Sequence, residues 1–243
     1  MWGGVTNAAE LRRIADVADK YQVPMVKVTG GQRIDLLGIR KEDLPGVWKD
    51  LDMPSGHAYG KSIRTVKTCV GSEFCRFGTQ NSTQLGIDLE HDLFNMWSPH
   101  KVKLAVSGCP RNCAESGIKD VGIIGVDSGW ELYIGGNGGI KTEAGEFFVK
   151  VKSAEEVMEY SLAFLQLYRE EAFYLERTVH YLQRVGMDHI KQAVLNDAER
   201  RKALHQRLLF SLSFEQDPWQ EQLSKPQLKK EFDRIAVKQL ENA

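Results

Sequence analysis

At 243 residues the chain is long enough for one large domain or two small ones with a real core. A hydrophobic share of 42% beside 27% charged residues marks a globular protein, not a disordered one. The net charge of −1 gives no global attraction for nucleic acid or an anionic membrane, so any affinity for anions must come from a local basic pocket.

The first stretch, "MWGGVTNAAELRRIADVADKY", lacks the basic-then-apolar order of a signal peptide, and no apolar run reaches the ~18 residues a membrane span needs. The expected compartment is therefore the cytoplasm. Residues 7–21 read as an amphipathic helix: Asn7 and Glu10 fit a capping box, and Leu11, Ile14, Ala15, Ala18 and Tyr21 form its apolar face. In "VPMVKVTGGQRIDLLGI" two short apolar runs flank Gly30–Gly31, which suits a tight hairpin because both turn positions can need positive φ. "KEDLPGVWKDL" reads as a short helix, so the first half-hundred residues form a small α+β unit. Residues 52–62, rich in Pro and Gly, mark a boundary or a functional loop.

A second α+β unit follows. "IRTVKTCV" and "KVKLAVSG" read as strands around the helical "STQLGIDLEHDLFNMW". "VGIIGV" and "WELYIGG" read as strands joined by a turn at Asp127–Gly129, and "GEFFVKV" as another. "GGNGG" at 135–139 opens no helix, so it fails as a dinucleotide fingerprint and reads as a turn or a close approach to a cofactor. From Ala154 the pattern is helical, through Val157, Tyr160, Phe164, Leu167 and Tyr168, and again from Tyr174 to a stop at Gly186. "MDHIKQAVLNDAERRKALHQRLLFSL" reads as one further helix, and the last thirty residues as a mobile tail or lid. The expected division is 1–58, 59–152 and a helical extension from 153 to 243.

All four cysteines fall in two pairs, Cys69 and Cys75 in "TCVGSEFCRFGTQ" and Cys109 and Cys113 in "SGCPRNCAESG". Structural disulfides are rare in the cytoplasm, so the pairing points to metal or redox chemistry. Thiolates suit zinc or an iron–sulfur cluster. The C-x5-C gap is wide for a zinc knuckle, while a cluster accepts ligands from wider loops. Buried free thiols and a zinc-stabilised scaffold stay open on spacing alone. Basic residues crowd the same region: Arg64, Lys67, Arg76, Lys101, Lys103 and Arg111. A strand through "KVKLAV" sets Lys101 and Lys103 on one face, where they suit an anionic cofactor or substrate. His57 and His100 lie near these loops and read first as structural.

"TCVGSEFC" followed by "SGCPRNC" resembles the signature of the siroheme-containing nitrite and sulfite reductases, and "VKVTGGQRIDLLGI" resembles their ferredoxin-like half-domain. The blocks "SGHAYGKSIRTVKTCVGSEFCRFGTQ" and "HKVKLAVSGCPRNCAESGIKDVGIIGV" lie nearest the nitrite-reducing branch that uses NAD(P)H. The resemblance covers roughly residues 1–185. It implies a [4Fe–4S] cluster on Cys69, Cys75, Cys109 and Cys113, with Cys113 shared with the siroheme iron. Siroheme carries eight carboxylates and calls for a cationic pocket. By the same resemblance, Lys101 and Lys103, with Arg64 and Arg76, are the candidates for binding nitrite or sulfite and delivering protons. Arg33, Arg64, Lys67, Arg76, Thr79, Gln80, Arg111, Asn112 and Cys113 are the candidates for holding siroheme. One departure stands out: related sulfite reductases carry Arg just before the motif's Gln, whereas Gly31 stands there and Arg33 follows Gln32. The chain shows no flavin or nicotinamide fold, so the expected electron source is a flavin/NAD(P)H or ferredoxin-type donor on another domain or chain. A single half-domain pair makes a homo-oligomer an expectation as well.

Overall fold

The computed structural model describes residues 1–55, 60–225 and 232, and the chain divides into two units. One comprises Thr6–Thr29, Ile34–Gly56 and Gln216–Ala243; the other comprises Met1–Val5, Gly30–Arg33 and His57–Glu215. His57 itself, and the tail beyond Lys225 apart from Phe232, lie outside the described residues.

The smaller unit starts with helix α1, Ala8–Lys20. Asn7 Oδ1 accepts from the N–H groups of Ala9 and Glu10, both at 2.9 Å, which satisfies two of the orphan donors at a helix start. Strands β1, Met25–Val28, and β2, Ile34–Leu37, pair antiparallel with Val28 opposite Ile34. The expected Gly-Gly hairpin is wider than a two-residue turn. Residues 29–33 connect the strands, and the positive φ falls on Gln32 (58°) and not on either glycine. Helix α2, Leu44–Leu51, matches the expected short helix.

The larger unit is built on a five-stranded sheet. Its elements are β3, Lys67–Thr68; α3, Gly71–Phe74; α4, Ser82–Asp92; β4, Leu104–Ser107; β5, Val121–Val126; and β6, Gly129–Ile134. A small ribbon follows, β7 at Asn137–Gly138 with β8 at Thr142–Glu143, which is what "GGNGG" becomes. Then come β9, Glu146–Val151, and the helices α5, Ala154–Glu171; α6, Thr178–Val185; α7, Met187–Lys191; and α8, Ala198–Leu212. The sheet order is β3-β4-β5-β6-β9, with β3, β4 and β5 parallel and the rest antiparallel. Mixed pairing with helices on the sheet is the α+β class that the sequence predicts.

Burial explains why these segments hold. Val106, Val121 and Ile123 are fully enclosed on the central strands, Val102 likewise just before β4, and Leu162, Phe164, Leu165 and Tyr168 of α5 pack into the same core. Central strands covered on both faces read as apolar runs, as "VGIIGV" does.

Three expectations change. The strand over "IRTVKTCV" shrinks to Lys67–Thr68, with one isolated bridge from Ile63 to Val102. The reason is that Val66 N donates to the Glu90 carboxylate at 3.1 Å and is lost to the ladder. The long helix after Gly186 breaks: a π-helical turn at Gln192–Asn196 follows α7, and Asp197 caps α8 by accepting from Arg200 N at 2.8 Å. The start of the tail is ordered, as helix α9, Pro218–Ser224, of the smaller unit. There Trp219 stacks on Trp48 at 5.9 Å, and Asp217 accepts from the Ser55 amide at 2.6 Å and its hydroxyl at 2.8 Å. One large aromatic offsets the low apolar content of the segment.

Candidate functional site

Two neighbouring parallel strands explain how the cysteine pairs meet. Thr68 lies opposite Val106, so the chain leaves β3 at Cys69 and β4 at Gly108 and Cys109 on the same edge of the sheet. The loops are then laced together by backbone. Gly108 O accepts from Thr79 N at 2.8 Å, Gln80 N at 3.0 Å and Thr79 Oγ1 at 3.0 Å. Gln80 Nε2 donates to Val126 O at 2.9 Å, which ties the loop to the end of the third parallel strand. Gly108 is required by closeness: a Cβ there would lie 2.7 Å from Gln80 O and 2.9 Å from Gly71 Cα. From the other side, Gln32 satisfies the free edge of β3. Its Nε2 donates to Thr68 O at 2.7 Å and its Oε1 accepts from Thr68 N at 2.8 Å, so a side-chain amide replaces a neighbouring strand beside Cys69.

The thiols are all free of disulfides; Cys109 is buried, Cys69 and Cys75 half-buried and Cys113 exposed. Cys69 Sγ accepts the Gly108 N–H at 3.1 Å and lies 3.2 Å from Ser82 Oγ. N–H donation to sulfur is one of the means by which proteins set an iron–sulfur cluster's potential, so this environment fits a cluster thiolate. Among the described residues no group of three or more His, Cys, Asp or Glu side chains is placed to hold a metal ion.

The candidate basic residues separate into two groups. With the cysteines lie Arg76 and Arg111, both exposed, whose guanidinium carbons sit 4.5 and 3.9 Å from the Phe77 ring centroid. Asn112 belongs there too, at φ 56°, its Oδ1 accepting from Gly117 N at 3.2 Å. Thr79 and Gln80, expected at the cofactor, spend the bonds above on the loops themselves. At the opposite end of β4 lie Lys101 and Lys103, half-buried on either side of the fully buried Val102. About 16 Å of strand separates the Cα atoms of Lys103 and Gly108. Arg64 joins the lysines, since its N–H donates to Val102 O at 2.9 Å and its guanidinium to Gly60 O at 3.0 Å. Lys67 stands opposite Ala105, which puts it on the Lys103 face of the sheet. Glu115 bridges Lys67 and Lys119, with both ammonium groups 3.1 Å from its Oε2. Arg33 is half-buried in the loop that carries Gln32.

Two residues that spacing does not single out organise the lysine end. Asp120 is wholly buried, and its carboxylate accepts four hydrogen bonds from three donor groups. Its Oδ2 accepts from Lys103 N at 2.8 Å, both oxygens accept from Arg177 Nη2 at 3.0 Å, and Oδ1 takes the Thr178 hydroxyl in a short bond. Burial, and then the charges of Lys101 and Arg177, lower the Lys103 pKa below the usual lysine value; Asp120 offsets part of this. His100 is lowered likewise by burial and by Arg177 and Lys101. Its Nδ1 accepts from Lys101 N at 2.7 Å, so the neutral ring carries its proton on Nε2 and donates there. The only sequence signal for this hub is an Asp just before an apolar strand.

Comparisons with known proteins identify the family. Residues 59–202 match the family described as "Nitrite and sulphite reductase 4Fe-4S domain", and residues 1–54 match "Nitrite/Sulfite reductase ferredoxin-like half domain". The chain is 62% identical over 238 residues to a "Nitrite reductase [NAD(P)H]" of Bacillus subtilis (strain 168), which covers 98% of this chain but 29% of that protein. It therefore spans less than a third of that relative's length. An assimilatory-type sulfite reductase of Nitratidesulfovibrio vulgaris is 34% identical over 192 residues, 79% of this chain and 88% of its own. Among solved structures, a dissimilatory sulfite reductase I superposes with a TM-score of 0.71 at 17% identity, over 79% of this chain and 66% of that one, which shows the shared fold.

Proposed function

The chain belongs to the nitrite and sulphite reductase family, and from that premise we propose that it is the siroheme- and [4Fe–4S]-binding reductase module that converts nitrite to ammonia. The observation that carries the reading is the meeting of two cysteine loops at one sheet edge, with a backbone N–H already aimed at Cys69 Sγ. Cys69, Cys75, Cys109 and Cys113 would hold the cluster, and Cys113, the exposed one, would be shared with the haem iron. When bound, the two groups supply electrons and an open coordination position for the substrate. The donor is a flavin or iron–sulfur group on another domain or chain, and the proposed compartment is the cytoplasm. Among the described residues no helix is long and apolar enough to cross a membrane. Sulfite reduction to sulfide is the second reading, favoured by the relative whose length this chain nearly spans.

The chain's own residues contribute charge and protons. Arg64, Lys67, Lys101 and Lys103 meet the carboxylates of the haem and draw in the substrate anion, which matters because the chain as a whole is nearly neutral. Lys103 releases its proton more readily than a surface lysine, since burial and two neighbouring cations disfavour its charged form.

The deciding measurement is the absorption spectrum of protein purified without oxygen after co-expression with siroheme synthesis enzymes. Soret and red bands that shift when nitrite meets the reduced protein support the reading. A colourless, zinc-containing protein overturns it. Lys103→Met is expected to keep the pigment and lose turnover with a reduced dye by about 10²-fold or more, the usual worth of a positioned proton donor. In the wild type, activity should fall as pH rises through the Lys103 pKa, below the ordinary 10.5, because the proton-donating form is lost there. Full turnover in the variant would remove Lys103 from the mechanism.

A further inference from the structure

We propose that Arg177, held in place by Asp120, is the anchoring residue of an oxyanion site shared with Lys101, Lys103 and His100 at the leading edge of β4. The idea rests on the reductase reading for its physiological ligand, but the site itself stands on geometry. Lys103, through its amide, and Arg177 meet at the Asp120 carboxylate, and the Lys101 amide donates to His100 Nδ1, so three cationic residues and the neutral His100 stand at one place. The carboxylate among them, Asp120, is occupied by Arg177, Thr178 and the Lys103 amide. The group therefore carries an excess of positive charge in a partly dehydrated place, in a chain whose net charge is −1. Like charges are gathered in this way at a cost, and an anion removes it.

Arg177 differs from the other cations in being fixed. Its side chain is 12% exposed, and a single nitrogen, Nη2, makes both bonds to Asp120. Its Nε is buried with no hydrogen-bond partner among the described residues. A buried N–H left without an acceptor calls for an explanation such as an ion. With Nη2 committed to the carboxylate, Nε and Nη1 remain as donors for a second oxyanion. His100 adds an Nε2 donor without adding charge.

The ligand class is a small oxyanion or a carboxylate. The substrate anion and a carboxylate of the tetrapyrrole share that chemistry, and the experiment tells them apart. The whole chain with its cofactors is compared with Asp120→Asn/Arg177→Gln, which removes both charges together so that neither is left buried alone. Thermal midpoints are followed against rising nitrite and, separately, inorganic sulfate, and the siroheme kept per chain is read from its Soret band. If the site takes the free anion, nitrite raises the wild-type midpoint in a saturable way. The double variant then needs about tenfold more nitrite, the loss of one charge-assisted hydrogen bond. If it takes a haem carboxylate, free anions leave the loaded wild type unmoved, and the double variant retains severalfold less siroheme. Either result supports the site. A folded double variant that binds nitrite within twofold of wild type and keeps its siroheme overturns it. Should the double variant not fold, Arg177→Lys carries the same comparison, because it keeps the charge against Asp120 and loses the planar fork. A wild type without siroheme would defeat the reductase reading, while the anion titration of the same protein would still decide the pocket.

Discussion

Asp120→Ala is expected to destabilise the larger unit by about 3–5 kcal/mol, the cost of breaking a buried ion pair by removing one partner. The substitution strips the Arg177 guanidinium of its counter-charge while leaving it 12% exposed, and frees the Thr178 hydroxyl and the Lys103 amide from their shared acceptor. These donors belong to the start of α6 and the approach to β4, which this one carboxylate ties together. For a chain of this size each kcal/mol moves the thermal midpoint by about 2–4 °C, so a drop of roughly 6–20 °C is the expected reading in a melting experiment. Asp120→Asn should lose less, because the amide keeps an acceptor and the volume. A midpoint for Asp120→Ala within about 2 °C of wild type would mean that water takes over the role of the carboxylate.

Cys69→Ser should leave the fold standing and remove the cluster. The Cys69 side chain accepts the Gly108 N–H and touches the Ser82 hydroxyl, and a serine oxygen can take over both contacts with little change in volume. Hard oxygen is a poor substitute for thiolate on a cluster iron. The expected result is a protein with an unchanged far-ultraviolet circular dichroism spectrum, near-complete loss of the broad visible absorption of the cluster, and loss of turnover. Iron content per chain is the check. Cys113→Ser makes the contrast: this cysteine is exposed, so its loss should fall on the siroheme bands first. Wild-type iron content in Cys69→Ser would remove that residue from the ligand set.

Local patterns carried a good part of the fold. The α1 helix and its Asn7 cap, the strands at 121–126 and 129–134, and the stop at Gly186 all rest on hydrogen bonds and periodicities that span a few residues. Failures came where a distant group competed for the backbone. Val66 reads as strand from its neighbours, yet its N–H goes to Glu90 on α4. The hairpin expected at Gly30–Gly31 widens, and Gln32 beyond the glycines completes the edge of β3 with its amide from 36 residues away. The tail that reads as mobile is ordered at its start, where Trp219 stacks on Trp48.

The same division holds for the site. Residue type and spacing pointed to metal or redox chemistry at the four cysteines, the resemblance to the reductases narrowed that to a cluster, and the two loops lie side by side because their strands do. Which cations serve which end was decided in three dimensions. Lys103 and Cys109 stand close in sequence, but an extended strand carries them apart, and the sheet gives each end its own neighbours. Asp120 and Arg177, 57 residues apart, meet because burying α5 and α6 against the sheet brings one carboxylate and one guanidinium into the same dry place. There each charge is tolerable only with the other, and no local pattern in the sequence encodes that partnership.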